Sequence, residues 1–342
     1  MRSMTEMPVL PVPTNPADQP STPARVSMLC KDIFTLAKVR LTAMVVITTV
    51  VGYVTGADGH VRLWILALVA AGTWLVAGSA SALNQVLEIR PDGLMNRTRE
   101  RPLPAGRMLP STAIFFAIFT AVSGLALLYF GVNSLTALLG LTNLALYAFV
   151  YTPLKRISTL NTLVGAICGA IPPMMGYTAA TGRIGLPALI LGLLLFVWQI
   201  PHFLALAWMY RDDYSHGGFR MLPVVDASGQ VTCRMMILYS ALLIPVATAA
   251  CFFGFAGPWF GAAALALGMV MVYLSLRLRR EKTRQNARRV FLASVIYLPL
   301  VLIILVADLR YRPHTPVTII LTSPPAGQVV PGILPSGGNR PS

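Results

Sequence analysis

The sequence predicts an all-α fold: a polytopic membrane protein with nine transmembrane helices. Apolar runs of about twenty residues, long enough to cross a bilayer as helices, recur along most of its 342 residues. Only 11% of the residues are charged and the mean hydropathy is +0.69, whereas soluble domains carry roughly 25% charged residues. A lipid bilayer is therefore the first predicted partner.

The apolar runs divide the chain into three parts. Residues 1–30 are rich in Pro, Ser, Thr and Val and have no signal-peptide core, which predicts a disordered cytoplasmic tail. Residues 31–308 form the predicted transmembrane domain, and the Pro- and Gly-rich residues 309–342 a second disordered tail. The predicted spans lie at about 41–57, 63–86, 111–130, 133–152, 160–180, 184–208, 234–254, 257–276 and 290–308.

The basic residues predict orientation rather than nucleic-acid binding, despite a net charge of +15. With a cytoplasmic N-terminus, the first tail and the loops after spans two, four, six and eight hold 22 of the 27 lysines and arginines. Cytoplasmic segments are enriched in these residues, so the N-terminus is predicted inside and the C-terminus outside. Because the N-terminus does not resemble a transit sequence, a bacterial inner membrane is favoured over an organelle.

The stretch from Asn84 to Arg107, NQVLEIRPDGLMNRTRERPLPAGR, combines three of the chain's twelve carboxylates with five arginines. Asn84 and Glu88 are four residues apart and share one face of a helix. Pro91 interrupts that helix, so Asp92 is expected on a turn or a kinked continuation. An oxygen-rich face beside guanidinium groups suits a hard cation and a phosphate-bearing ligand.

A second acidic loop follows span six and contains Asp212, Asp213 and Asp226. Together the two loops hold half of the acids, although carboxylates are not needed for topology. Taken singly, either loop is as consistent with solvated charges that pair with arginines. Because both loops lie on the same side, a functional site is favoured. The basic pair Lys155 and Arg156 ends span four on that side, where it serves either phosphate binding or topology alone.

His202 lies near the end of span six, in the segment WQIPHFLALAW. An ionisable residue within an apolar span is expensive and suggests a function. It could ligate haem iron, relay a proton or orient a reacting group. The alternative is a structural hydrogen bond to a carbonyl group freed by Pro201.

These motifs resemble the UbiA superfamily of intramembrane prenyltransferases and, within it, the haem O synthase branch. The similarity runs from about Lys38 to about residue 308. Four segments carry it in the same order: NQVLEIRPDGLMNRTRERPLPAGR, YTPLKRISTLNTLVGAICGAIPPMMGY, WQIPHFLALAW and RDDYSHGGFRMLPV.

The resemblance implies a reaction and its partners. Nine helices would surround a cavity open to the membrane, where Mg²⁺ assists loss of diphosphate from farnesyl diphosphate. The farnesyl group would pass to a vinyl group of haem b, and water would complete the hydroxyethylfarnesyl side chain. A homo-oligomer, and haem A synthase or oxidase assembly factors, are the implied protein partners.

The resemblance also implies roles for individual residues. The implied metal ligands are Asn84, Glu88, Asp92 and Asp213. The implied catalytic set is Asn84, Glu88, Asp92, His202, Asp212 and Asp213. The implied diphosphate-binding residues are Lys38, Arg40, Arg97, Arg101, Tyr151, Lys155 and Arg156.

The chain departs from the family pattern at two places. Many members carry Asp where this chain has Glu88, which remains a hard oxygen ligand with a longer side chain. Relatives outside the haem branch have two acids four residues apart in the second motif, whereas Asp212 and Asp213 are adjacent. Of these two, Asp213 is the predicted ligand.

Two other functions are consistent with parts of the sequence. A UbiA-type enzyme could instead prenylate an aromatic quinone precursor, but the WQIPHF and RDDYSHGG segments favour the haem branch. A transporter of an anionic solute would also place charges at membrane ends. Such transporters commonly consist of two matched halves, and the sequence shows no such repeat.

Overall fold

Helices make up nearly all the regular structure of residues 22–309, the part of the chain that the computed structural model describes. No β-strand occurs in this range, in agreement with the predicted all-α fold. The helices are α1 (Thr22–Leu36), α2 (Val39–Ala57), α3 (Leu63–Leu87), α4 (Ile89–Leu94), α5 (Pro110–Gly131), α6 (Ser134–Ala145), α7 (Thr152–Ile157), α8 (Asn161–Thr181), α9 (Leu186–Met209), α10 (Arg211–His216), α11 (Leu222–Val225), α12 (Gln230–Phe252), α13 (Pro258–Arg280) and α14 (Arg284–Asp308).

Nine helical segments within residues 22–309 are long and apolar enough to cross a membrane, which confirms the predicted number. They are α2, α3, α5, α6 with its continuation to Ile157, α8, α9, α12, α13 and α14. The largest difference in a boundary is at α14, which begins at Arg284 rather than near residue 290. Its first turns are basic, because long cationic side chains can extend from a helix end to the membrane surface. A boundary drawn from apolar residues alone therefore underestimates the length of this helix.

The helix α1 extends into the predicted N-terminal tail. Residues 22–30 belong to the tail predicted at 1–30, but the structure places them in α1. Pro23 is compatible with this helix, because backbone N–H groups in the first turn have no helical partner and the missing N–H of proline costs nothing there. Residues 1–21 and 310–342, which contain the rest of both predicted tails, lie outside the described residues.

The two largest apolar cores hold the bundle together and leave a cavity between them. One core is formed mainly by α9, α12, α13 and α14, and the other by α2, α3, α5, α6 and α8. Large apolar side chains also cover the outside of the bundle; Phe115 and Phe130, for example, are 71% and 85% exposed. Such an exterior is expected for helices whose outer surface faces lipid.

A π-helical turn, Leu146–Tyr151, joins α6 to α7. The backbone N–H of Thr152 donates to the carbonyl group of Tyr147, five residues earlier. Single π-turns inside α-helices occur frequently at functional sites. Here the turn carries Tyr147 and Tyr151, which both line the cavity.

The close packing of α2 against α8 depends on Gly176, so we expect Gly176→Ala to destabilise the protein. A Cβ at this position would overlap the carbonyl oxygen of Thr49, and overpacking of this kind costs about 1–3 kcal/mol. Gly78→Ala is the control, because a Cβ there meets only Ala37 at 3.9 Å. Thermal unfolding in detergent would measure both variants. Equal melting temperatures would contradict the assigned packing.

Candidate active site

A cavity of about 560 Å³ lies inside the bundle and has two chemically different ends. The polar end is defined by Lys38, Asn84, Glu88, Asp92, Arg97, Arg101 and Lys155. The apolar chamber is lined mainly by hydrophobic residues of α2, α3, α8, α9 and α14; those of α9 and α14 are Leu195, Trp198, Phe203, Leu206, Val295, Leu298 and Pro299. The cavity therefore suits a ligand with an anionic head and a hydrophobic body.

The end of α3 and the short helix α4 supply the oxygen-bearing groups of the polar end. Asn84 lies in the last turn of α3, and Glu88 follows directly after this helix. Asp92 lies on α4, which continues the chain beyond the break, and its N–H donates to the carbonyl oxygen of Glu88 at 2.8 Å. All three side chains are buried. The structure thus brings together the first predicted motif.

Each of these groups is hydrogen-bonded to a different cation. Lys38 Nζ donates to Asn84 Oδ1 at 2.6 Å, and Lys155 Nζ to Glu88 Oε1 at 2.9 Å. Arg101 Nη1 donates to Asp92 Oδ2 at 2.5 Å. Charge-assisted hydrogen bonds are the strong ones in a dry interior, and they keep the two carboxylates from being buried without compensation.

A hydroxyl group fixes the orientation of the Asn84 amide. Lys38 Nζ donates to Asn84 Oδ1, so the amide nitrogen of Asn84 is directed away from Lys38. The amide nitrogen then donates to Thr152 Oγ1 at 3.1 Å, and the hydroxyl of Thr152 donates to the carbonyl oxygen of Tyr147 at 2.8 Å. Because this carbonyl belongs to the π-turn, the turn sets the direction of the Asn84 oxygen. No pattern in the sequence indicated this role of Thr152.

Lys38 adopts a strained backbone conformation between α1 and α2. Its φ and ψ are 46° and 52°, in the left-handed region that non-glycine residues rarely occupy. The end of α1 is held in place by Gln85, whose Nε2 donates to the carbonyl oxygens of Thr35 and Leu36. The pKa of Lys38 is lowered to about 7, mainly because the side chain is buried and secondly because Arg101 and Lys155 repel its charge.

The oxygen donors at the polar end fit a hard divalent cation. Asp92 Oδ1 is buried and has no hydrogen-bond partner among the described residues. Burial raises the pKa of the Asp92 carboxyl, although Arg101 opposes the shift. Within residues 22–309 no group of three His, Cys, Asp or Glu side chains is arranged to hold a metal. Mg²⁺ requires only one or two carboxylates beside water and substrate oxygens, and Glu88, Asp92 and the amide of Asn84 meet that requirement.

The second acidic loop approaches the polar end through aromatic side chains, not through its aspartates. Tyr214 and Phe219 line the cavity, and Tyr214 Oη accepts a hydrogen bond from Arg97 Nη2 at 3.1 Å. The side chain of Asp212 is 89% exposed and pairs with Arg211. Asp213 is half-buried and does not line the cavity. Neither aspartate lines the cavity, and the catalytic and metal-binding roles of Asp212 and Asp213 stay predictions.

The remaining predicted residues divide between the cavity and the surface. Lys38, Arg97, Arg101, Tyr151, Lys155 and His202 line the cavity as predicted. Arg40 and Arg156 are exposed and do not. Arg156 follows Lys155 directly on α7, and adjacent residues of a helix face different directions, so only one of the pair points inward.

The sequence matches the model of the UbiA prenyltransferase family over residues 45–296. It is 38% identical over 287 residues to a protoheme IX farnesyltransferase of Solibacter usitatus, covering 81% of this chain and 98% of that protein. Identity to a protoheme IX farnesyltransferase of Anaeromyxobacter sp. is 44% over 291 residues, or 84% and 97% of the two chains. The human mitochondrial protoheme IX farnesyltransferase is 43% identical over 276 residues, which cover 80% of this chain and 61% of the human protein.

Solved structures share the fold at low sequence identity. A digeranylgeranylglyceryl phosphate synthase superposes with a TM-score of 0.70 at 17% identity, covering 82% of this chain and 98% of that one. A UbiA homologue of Archaeoglobus fulgidus, solved with DMAPP and Mg²⁺, superposes with a TM-score of 0.60 at 14% identity, covering 82% and 99%. These similarities establish a UbiA-type bundle.

Because Lys155 neutralises a buried carboxylate, we expect Lys155→Met to destabilise the ligand-free protein by about 3–5 kcal/mol. The side chains of Lys155 and Glu88 are only 11% and 6% exposed, so the variant leaves Glu88 charged and unpaired. Adding Glu88→Gln should recover most of the loss. Arg211→Ala, which removes the exposed partner of Asp212, should change stability by less than about 0.5 kcal/mol. Thermal or denaturant unfolding in detergent would compare them, and equal effects at Lys155 and Arg211 would contradict the assigned pair.

Proposed function

Because the chain belongs to the UbiA prenyltransferase family, in its protohaem IX farnesyltransferase branch, we propose that it transfers the farnesyl group of farnesyl diphosphate to a vinyl group of haem b. Water adds in the same reaction, and the product is haem O. The observation that carries the proposal is a buried set of paired acids and cations that opens into an apolar cavity.

The charges of the polar end suit a diphosphate. Two carboxylates, Glu88 and Asp92, face four cationic side chains: Lys38, Arg97, Arg101 and Lys155. The excess of positive charge favours an anionic ligand. Without substrate, Arg101 and Lys155 form ion pairs with the two carboxylates, and Lys38 lies close to both of them. On binding, the lysines and arginines can turn from the carboxylates to the diphosphate oxygens and hold the leaving group.

Mg²⁺ is the proposed cofactor, with Asn84, Glu88 and Asp92 as its protein ligands. The buried Oδ1 of Asp92 that lacks a partner supports this assignment. So does the A. fulgidus homologue, which was solved with a prenyl diphosphate and Mg²⁺. When bound, the metal would supply a Lewis acid that neutralises the departing diphosphate.

The rest of the cavity would protect the farnesyl cation and receive the haem. Tyr147 and Tyr151 present aromatic rings beside the polar end, and such rings attract a cation through their faces. The apolar chamber excludes bulk water, which would otherwise trap the cation. We place the N-terminus on the cytoplasmic side of a bacterial inner membrane, in accordance with the distribution of lysine and arginine. Haem O would then pass to a haem A synthase or an oxidase assembly partner.

The reaction itself is the first test. Purified protein incubated with haem b, farnesyl diphosphate and Mg²⁺ should give a haem heavier by one farnesyl group and one water, identified by mass. Asp92→Asn should lower the rate about a hundredfold or more, because a single group that stabilises developing charge contributes that much. Prenylation of an aromatic acid instead would assign the quinone branch. No diphosphate release with either acceptor would overturn the enzyme assignment.

We also expect Thr152→Val to weaken metal binding by about 10–100-fold, the usual cost of losing a side chain that orients a ligand. Valine has nearly the same shape as threonine but cannot accept the hydrogen bond from Asn84. Thr152→Ser keeps the hydroxyl and should bind Mn²⁺ almost as the unaltered protein does. Titration of Mn²⁺ with inorganic diphosphate, followed by electron paramagnetic resonance, would measure all three proteins. Equal affinities of the valine and serine variants would contradict this role.

A further inference from the structure

Two polar side chains of α9 lie among its apolar cavity-lining residues. Gln199 and His202 both line the cavity. They are three residues apart on α9 and therefore share a face of the helix. His202 lies seven residues before the end of α9 at Met209, and Asn84 lies three residues before the end of α3 at Leu87. At about 1.5 Å per residue, His202 is therefore about one turn further from the end of its helix than Asn84 is.

The hydrogen bonds of His202 define its tautomer. Ser294 Oγ donates its single proton to the carbonyl oxygen of Phe291 at 2.6 Å. Its other contact, with His202 Nδ1 at 2.9 Å, must therefore be a bond that Ser294 accepts. In the neutral imidazole Nδ1 therefore carries the proton, and Nε2 has a free lone pair. No hydrogen-bond partner of Nε2 occurs among the described residues.

The imidazole ring of His202 is held rigidly between two aromatic rings. Trp198 stacks on it with centroids 4.9 Å apart, and Phe291 does so at 4.8 Å. Trp198 is itself fixed, because its Nε1–H donates to the carbonyl oxygen of Ser294 at 2.8 Å. A structural hydrogen bond to a freed carbonyl, the alternative from the sequence, is not what His202 makes. The arrangement positions a lone pair in the cavity.

The amide of Gln199 belongs to the cavity lining and has no hydrogen-bond partner within residues 22–309. Gln199 as a whole is only 6% exposed. It fits because Gly169 has no side chain; a Cβ there would overlap the Gln199 amide. Buried amides are almost always hydrogen-bonded to protein or ordered water. A water needs two to four polar partners in a site of this kind, and Gln199 and His202 together provide them.

We propose that Gln199 and His202 hold the water that becomes the hydroxyl group of the product, and that His202 Nε2 accepts its proton. This inference rests on the proposed function. As the carbon–oxygen bond to diphosphate breaks, the terminal vinyl carbon bonds to farnesyl C1 and leaves a cation on the vinyl carbon next to the macrocycle. The water oxygen bonds to that carbon, and one water proton moves to Nε2. His202 is then a catalytic residue, and Gln199 and Ser294 are positioning residues.

The test uses the composition of the product in water labelled with ¹⁸O. The unaltered protein should give farnesylated haem carrying one labelled hydroxyl group. In His202→Gly the cation should instead lose a proton from the neighbouring carbon and give a product lighter by one water. We expect the ratio of hydroxylated to dehydrated product to fall about a hundredfold or more, the usual contribution of a general base. Added imidazole, which fits the slot between Trp198 and Phe291, should restore the hydroxylated product.

Two further variants keep the test decisive if His202→Gly does not fold. Gln199→Met and Ser294→Ala should each lower the same ratio about tenfold while diphosphate release continues. An unchanged ratio in all folded variants would overturn the proposal. A changed Soret band of bound haem in His202→Gly, with an unchanged ratio, would overturn it in favour of an iron ligand. Absence of any farnesylated haem with the unaltered protein would instead refute the proposed function.

Discussion

The burial of two carboxylates at the end of a membrane bundle is the constraint on which the site depends. Glu88 and Asp92 are 4% and 1% exposed, and a buried ion without a partner costs several kcal/mol. Each is therefore paired with a cation: Glu88 with Lys155 on α7, and Asp92 with Arg101 in the loop after α4. The Glu88–Lys155 pair spans 67 residues and joins the end of α3 to α7, whereas the Asp92–Arg101 pair spans nine residues and holds the loop after α4 against that helix.

Two backbone irregularities serve the same polar end. Lys38 is held in the left-handed region by the packing of α1, and the π-turn lets one carbonyl group of Tyr147 accept from both the N–H and the hydroxyl of Thr152. Each of these conformations is higher in free energy than regular helical backbone. A bundle that only crossed the membrane would need neither. Their position beside Asn84 is therefore best explained by the direction that its oxygen must take.

The fold and the first motif could be predicted because their signals are local. The length of an apolar run and a spacing of four residues need no knowledge of distant contacts, and the nine spans and the grouping of Asn84 with Glu88 follow from them. The face that α10 turns inward depends instead on how it docks, and Tyr214 rather than Asp213 lines the cavity. Thr152 and Ser294 escaped notice because a hydroxyl acquires a role only from its partners, here 68 and 92 residues away.

The division of the cavity explains why a histidine and an amide, rather than a carboxylate, occupy the apolar chamber. A departing diphosphate needs charge, which the polar end supplies, whereas a carbocation needs surroundings that do not trap it. A carboxylate in the chamber would be costly to bury without a partner and would combine with the cation as an ester. A neutral imidazole and an amide hold water without adding charge. Gln199 and His202 are the uncharged polar pair that α9 presents to the cavity, and in the proposed reaction they give one water a defined place without adding charge to the chamber.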